Sequence, residues 1–165
     1  MLMSSIIKRV LNTRESPLNI IMSHSEDSAF LLFLQEIVSI KGTKILSFSD
    51  SLMANTPIDL IICNSRITQF DKCFAVSNFF QCPMIIIDHT LPSHLIDPKA
   101  KMERAIFPHL IHVARSKEIY DSWGKYHDLV LDYEFNNEKN TNEWRDLIYK
   151  TSKINFQTSD SLGVE

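Results

Sequence analysis

An acid, an imidazole and a hydroxyl stand together where one apolar run of the sequence ends. Residues 83–95 read PMIIIDHTLPSHL, so that four apolar residues lead directly into Asp88, His89 and Thr90. His89 can act as a base or orient a sugar hydroxyl, and Asp88 beside it can fix the tautomer of the ring. In the alternative interpretation, Asp88 caps the loop and His89 packs beneath the Leu-Pro pair that follows.

Alternating apolar and amphipathic segments predict the elements that must position these residues. Apolar runs typical of strands lie at residues 18–22, 43–49, 58–64, 82–88, 109–115 and 128–133. Predicted helices lie at residues 25–40, 65–80, 97–106, 116–124 and 141–153, the last of them capped by Thr141 or Asn142. Strands that are apolar throughout and alternate with helices are typical of a parallel sheet that is covered on both faces.

The sequence therefore predicts one α/β domain with an extension at each end. Residues 18–154 are expected to form a single Rossmann-like, three-layer domain with a mainly parallel, doubly wound sheet. Residues 1–17 are expected to form an N-terminal arm or short helix, and residues 155–165 a flexible C-terminal tail.

Polar residues follow several of the predicted strands. In a doubly wound sheet the ligand lies beyond the carboxyl ends of the strands, near the switch in strand order, which predicts a ligand-binding rim at this edge. The predicted rim residues are His24, Asn64, Arg66, His89, Thr90, Arg115 and Ser116. One residue from each of four strand ends (His24, Asn64, His89 and Arg115) is expected to open onto a common crevice. The alternative is that these are ordinary loop residues, since loops at any such edge are polar.

The composition excludes several classes of protein. The chain has 165 residues and a net charge of −3, without the basic footprint of a nucleic-acid binder. Its three glycines are too few for a glycine-rich phosphate loop. Three cysteines without paired spacing argue against a disulfide framework and favour a reducing compartment. The sequence has no run of about 18 apolar residues, so no membrane span is predicted. In a signal peptide the charges precede the apolar segment, whereas here they follow the first apolar patch.

Metal sites and common catalytic sites are not expected either. His109 and His112 are three positions apart, so in a strand they point to opposite faces and do not hold one ion. The cysteines lack the usual zinc spacing, and no Gly-x-Ser-x-Gly turn is present. The third predicted strand ends without the acceptor aspartate of a receiver domain. We therefore predict no metal and no cofactor.

Residues 58–93, IDLIICNSRITQFDKCFAVSNFFQCPMIIIDHTLPS, resemble the amino-terminal domain of viral and phage glycosyltransferases of the GT-B type. That family has an Asp-Leu-Ile strand, a Gln-Phe helix, a Pro-led apolar strand and an acid-His-Thr-Leu-Pro turn. The matching positions here are Asp59 to Ile62, Asn64, Gln69, Phe70, Pro83 and Asp88 to Pro92. Ser116, Trp123 and Gly124 continue the likeness, which spans roughly residues 18–133.

The resemblance implies the half of such an enzyme that mainly holds the acceptor. The chain is expected to lack the half that holds the nucleotide-sugar, and MSHSED stands where many such enzymes have a Gly-containing loop. Because catalysis needs both substrates positioned together, we expect a non-catalytic binding or virion-associated protein of phage origin. If the chain is an enzyme, it is a glycosyltransferase, and His89 and Asp88 are the catalytic candidates.

Two alternatives stay open at this stage. The chain can be the acceptor-binding half of a split glycosyltransferase that takes sugar from a nucleotide-sugar, with the donor half on a second chain. It can also be an unrelated small α/β protein that binds a partner, because a fold alone does not fix a function. The expected partners are a glycan, a second glycosyltransferase half or virion proteins, without nucleic acid or a membrane span. The expected location is the host cytoplasm or the virion, without secretion by a signal peptide.

Overall fold

A six-stranded parallel sheet is the centre of the computed structural model, which describes residues 18–22, 28–37, 43–46, 57–63, 66–89, 107–134 and 136–154. The strands are β1 (Asn19–Met22), β2 (Lys44–Leu46), β3 (Leu60–Cys63), β4 (Met84–Asp88), β5 (Leu110–Ala114) and β6 (Leu129–Val130). The helices of these residues are α1 (Ser28–Ile37), α2 (Arg66–Phe80), α3 (Lys117–Ser122) and α4 (Glu138–Ser152).

The order of the strands makes the sheet doubly wound. It runs β2-β1-β3-β4-β5-β6, and every neighbouring pair is parallel. The direction of winding therefore switches between β1 and β3. The predicted Rossmann-like α/β fold with a parallel, doubly wound sheet is confirmed. The predicted arm at 1–17, the helix at 97–106 and the tail at 155–165 lie outside the described residues.

The central strands β3 and β4 bury both of their faces, because helices cover the sheet on two sides, whereas the edge strands β2 and β6 are partly exposed. On the α1/α4 face, Ile85 and Ile87 of β4 join a core with aromatic and aliphatic side chains of α1 and α4. On the α2/α3 face, Met84 and Ile86 pack with the buried side of α2, and Ala114 packs with α3. This two-residue alternation explains why apolar runs, rather than alternating patterns, marked the strands in the sequence.

Helix α4 begins earlier than the sequence indicated. The predicted N-cap was Thr141 or Asn142, and the observed N-cap is Asn137, whose side chain accepts from the backbone N–H of Asn140 at 3.1 Å. Glu138 then lies in the first turn, where the helix dipole favours an acid. The polar residues 137–140, which precede the predicted helix, therefore form its N-cap and first turn.

The three cysteines are free thiols in the buried part of the fold. Burial raises the pKa of the Cys82 thiol to about 12, and the nearby negative charge of Asp59 adds to the shift. Asp59 itself accepts a hydrogen bond from the backbone N–H of Asn19 at 2.7 Å, while burial raises the pKa of its carboxyl group. No helix among the described residues is both long enough and apolar enough to cross a membrane.

We predict that all three cysteines resist alkylation in the folded protein, since only an accessible thiolate reacts quickly. Labelling with iodoacetamide at neutral pH, followed by mass spectrometry, is expected to modify none of them in the native protein. The same reaction in denaturant is expected to modify all three. Rapid native labelling of Cys63, Cys73 or Cys82 contradicts the burial described here.

We also predict that two phenylalanine truncations differ sharply in their effect on stability. Phe30 is fully buried and contacts the rings of Tyr133 and Trp144, whereas Phe79 is 72% exposed. Phe30→Ala is expected to lower the free energy of unfolding by about 3–5 kcal/mol, because it leaves a cavity in the core. Phe79→Ala is the matched control, with an expected change within about 0.5 kcal/mol in urea denaturation. Equal losses in the two variants contradict the described core.

Candidate functional site

Asp88 and His89 leave the end of β4 toward opposite faces of the sheet. Successive side chains of a strand alternate between its faces, so neighbours in sequence face different layers. The carboxylate of Asp88 is on the α2/α3 face, where its Oδ2 lies 2.7 Å from Nε2 of His127. His89 is on the α1/α4 face, where its ring lies near Arg115 and Tyr133. The carboxylate of Asp88 and the imidazole of His89 therefore have different partners on different faces of the sheet.

The contact between Asp88 and His127 is a buried polar pair. Their side chains are 3% and 0% exposed, and Nε2 of His127 is the atom positioned to donate to the carboxylate. Three aromatic rings surround the imidazole, with ring centroids 5.6 Å away for Trp123, 5.7 Å for Tyr126 and 6.4 Å for Tyr120. A buried polar pair of this kind fixes the loop before β6 to the end of β4.

A second histidine fixes the same loop from the middle of β5. His112 is buried, its backbone N–H donates to Oδ2 of Asp128 at 2.8 Å, and its ring lies 3.4 Å from the hydroxyl of Tyr126. The backbone N–H of Asp128 donates in return to the carbonyl of His112 at 2.8 Å. The loop between α3 and β6 is therefore held by two histidines that belong to the interior of the protein.

On the opposite face, four side chains form what we call the rim cluster: His89, Arg115, Asp132 and Tyr133. Arg115 is at its centre, with Nε donating to Oδ1 of Asp132 at 2.8 Å. Its Cζ lies 4.1 Å from the centroid of the Tyr133 ring, a cation–π distance. Its Nη1 lies 3.4 Å from Nδ1 of His89. The side chains of Arg115 and Asp132 are 35% and 48% exposed, so the cluster faces solvent.

The contact with Arg115 favours one tautomer of His89. A guanidinium group only donates hydrogen bonds, so Nδ1 of the facing imidazole accepts when the two groups are hydrogen-bonded, and the ring hydrogen is then on Nε2.

The rim cluster is anchored to helix α4 through the backbone of Asp132. The carbonyl of Asp132 accepts from Nε1 of Trp144 at 2.7 Å and from Nδ2 of Asn140 at 2.6 Å. Its Oδ1 also accepts from the backbone N–H of Tyr133 at 2.8 Å. Three groups thus hold Asp132, the residue that orients Arg115.

The structure brings together two of the residues predicted for the rim. His89 and Arg115 are in contact, as their positions after β4 and β5 suggested. Ser116 has a structural task instead, because its Oγ accepts from the backbone N–H of Ile119 at 3.2 Å and caps α3. Arg66 is the first residue of α2.

The other predicted rim residues, which are His24, Asn64 and Thr90, lie outside the described residues. The loops that follow β1 and β3 flank the switch point of the sheet, and they also lie outside them. Strand β3 separates β1 from β4, so the rim cluster lies at β4, β5 and the end of β6 rather than at the switch point.

Sequence reasoning missed three participants, which are Asp132, Tyr133 and His127. The first two lie inside the sixth strand as predicted, residues 128–133, whereas β6 ends at Val130, so that both follow the strand at the same edge as His89. His127 carried no local signal, because its partner Asp88 is 39 positions away in the chain.

The described residues contain no group of three or more His, Cys, Asp or Glu side chains arranged to hold a metal ion. His109 lies before β5 with its ring 5.6 Å from that of Phe107, and burial lowers its pKa. His112 lies within β5, against Tyr126. These two histidines have separate aromatic neighbours.

Comparison of the chain with protein-family models, with curated proteins and with solved structures finds no match.

We predict that the Asp88–His127 pair contributes more to stability than the exposed Arg115–Asp132 pair. His127→Ala leaves a buried carboxylate without this partner, and the expected loss is about 3–5 kcal/mol of unfolding free energy. Asp132→Asn keeps the shape of an exposed partner of Arg115, with an expected loss of at most about 1 kcal/mol. Urea denaturation of both variants is the measurement.

A double variant controls for the cavity that His127→Ala creates. If the pair interacts, the Asp88→Ala, His127→Ala protein is more stable than the sum of the two single losses implies. Strictly additive losses contradict a coupled pair.

Proposed function

We propose that this protein is a saccharide-binding domain, similar to the acceptor-side half of GT-B glycosyltransferases, and that it binds without catalysing sugar transfer. The observation that carries the proposal is the contact between Nη1 of Arg115 and Nδ1 of His89 at 3.4 Å. It lies at the carboxyl-end edge of the sheet, the edge on which ligands bind in doubly wound folds, and β3 separates it from the switch point.

This contact favours binding over catalysis. A general base needs a lone pair directed at the proton that it removes. In the tautomer that accepts from Arg115, the lone pair of His89 faces the guanidinium group rather than a substrate proton. The other catalytic candidate, Asp88, is held in the buried pair with His127. Neither candidate is placed to activate a sugar hydroxyl.

The chemistry of the rim cluster suits a saccharide. Sugar hydroxyls both donate and accept, and the cluster combines an imidazole and a guanidinium group with the exposed carboxylate of Asp132. The resemblance of residues 18–133 to acceptor-side domains supports the same class of ligand, and of the four residues of the cluster its matching positions include His89. That resemblance also supports a phage protein that acts in the host cytoplasm or in the virion, together with a glycan or a protein partner.

The test is a binding titration combined with a turnover assay on the isolated protein. We predict that ¹⁵N NMR titration with a mixture of mono- and disaccharides perturbs the signals of His89 and Arg115. His89→Ala is expected to weaken binding about fivefold, the effect of losing one neutral hydrogen bond. Glu36→Gln, an exposed change in the last turn of α1, is the control that leaves binding unchanged. No hydrolysis or transfer from nucleotide-sugars is expected.

Each other result has a defined meaning. Turnover by the isolated chain that disappears in His89→Ala identifies a glycosyltransferase and contradicts the proposal. Turnover only after a donor-binding chain is added identifies the acceptor half of a split enzyme. An absence of saccharide binding, with the fold intact by circular dichroism, rejects a saccharide site.

A further inference from the structure

We infer that Asn140 is a positioning residue of the rim cluster, and that through it the start of helix α4 determines how well the cluster binds a ligand. Asn140 is not a member of the cluster, and it acts on Arg115 through Asp132 and Tyr133. The part of this inference that concerns ligand binding rests on the proposed saccharide-binding function, whereas the orientation of Arg115 is a property of the protein alone.

The side-chain amide of Asn140 holds the backbone on both sides of Tyr133. Its Nδ2 donates to the carbonyl of Asp132 at 2.6 Å, and its Oδ1 accepts from the backbone N–H of Glu134 at 2.7 Å. Asp132 and Glu134 are exposed and Tyr133 is buried, which is the alternation of an extended chain. One amide thus binds the segment that follows β6 through a donor and an acceptor, as a neighbouring strand would.

The segment that Asn140 holds contains two groups that orient Arg115. Oδ1 of Asp132 accepts from Nε of Arg115 at 2.8 Å, and the centroid of the Tyr133 ring lies 4.1 Å from its Cζ. A shift of the backbone at residues 132–134 therefore moves the carboxylate and the aromatic face together. Because the donors of a guanidinium group are fixed in one plane, they change direction as a unit when these contacts move.

Asn140 is itself fixed by the cap of a helix that packs in the core. Its backbone N–H donates to Oδ1 of the N-cap Asn137 at 3.1 Å, and Nδ2 of Asn137 donates to Oε2 of Glu134 at 2.8 Å. Further along α4, Trp144 and Ile148 are fully buried in the α1/α4 core. The amide therefore belongs to an element whose position is set by packing, as support for a binding site requires.

Two substitutions separate the positioning role from a role in helix stability. Asn140→Ala removes both hydrogen bonds of the amide. Asn140→Asp keeps the acceptor for Glu134 and removes the donor to Asp132, and it places an acid in the first turn of α4, where the helix dipole favours it. Asn142→Asp is the matched control, because it makes the same change of charge at an exposed position of the same helix.

The readout is the Nε–H signal of Arg115 in ¹⁵N NMR at mildly acidic pH, assigned by its absence in Arg115→Lys. In the wild-type protein the hydrogen bond to Asp132 slows the exchange of this hydrogen with solvent. Both Asn140 variants are expected to raise the exchange rate about fivefold, the equivalent of one neutral hydrogen bond, and Asn142→Asp is expected to leave it unchanged.

The indole N–H of Trp123 is the internal reference, since it lies on the other face of the sheet. A general loss of stability would speed its exchange together with that of Arg115, whereas a positioning role leaves the rate at Trp123 unchanged. Circular dichroism checks that each variant is folded.

Titration with the same mixture of mono- and disaccharides measures the consequence for binding. Both Asn140 variants are expected to bind about twofold more weakly than the wild-type protein, or weaker still. The reason is that the apparent affinity falls with the fraction of molecules in which the arginine is held in place. Asn142→Asp is expected to bind as the wild-type protein does.

The outcomes separate this inference from the proposed function. An unchanged exchange rate of Arg115 in folded Asn140→Ala overturns the inference, as does an equal rise in Asn142→Asp, and the saccharide-binding proposal then still depends on its own titration. Faster exchange with unchanged saccharide affinity overturns the part that concerns binding. If no sugar binds to the wild-type protein, that part is rejected together with the proposed function, and the exchange rates still decide whether Asn140 orients Arg115.

Discussion

The pleat of β4 is the constraint on which the candidate site depends. Because neighbouring side chains of a strand point to opposite faces, Asp88 and His89 lie in different layers of the protein. The carboxylate of Asp88 contacts His127 in the interior, and the imidazole of His89 contacts Arg115 at the surface. Adjacent Asp and His residues in a sequence suggest one catalytic unit. In this fold the two residues contact different partners on different faces of the sheet.

Arg115 gains its position from residues that are far apart in the chain. The backbone carbonyl of Asp132 is held by Trp144 and Asn140 of α4, and the same residue holds the guanidinium. The position of the rim cluster therefore depends on the packing of α4 on the sheet. An exposed ion pair contributes about 1 kcal/mol or less to stability, so the value of this arrangement is the orientation of the arginine.

Much of the fold could be predicted from the sequence, because continuous apolar strands between helices leave few alternatives to a covered parallel sheet. The contact of His89 with Arg115 followed from the rule that polar residues meet at the carboxyl ends of strands. The sequence could not show whether Ser116 belongs to a ligand site or caps a helix, since it both follows a strand and precedes a helix. The start of α4 was placed too late because Asn137 stands in a polar run that also suits a loop.

The contacts that sequence reasoning missed are non-local. His127 meets Asp88 across 39 positions, and periodicity describes only which face of an element is apolar. Asp88 ends β4 and His127 precedes β6, and the two strands are separated in the sheet by β5. The two side chains therefore meet only once the sheet has formed. The glycosyltransferase-like pattern, in turn, indicated a class of ligand but contained no sign of how Arg115 is held.

The two tryptophans of the chain lie on opposite sides of the sheet. Trp144 is buried in the α1/α4 layer beneath the rim cluster, and Trp123 is buried in the α2/α3 layer beside His127. Each layer therefore contains its own natural fluorophore. When one indole is replaced by phenylalanine, the emission of the other reports on a single layer, so loosening of the layer beneath the rim cluster can be followed optically and apart from loosening around the buried histidines.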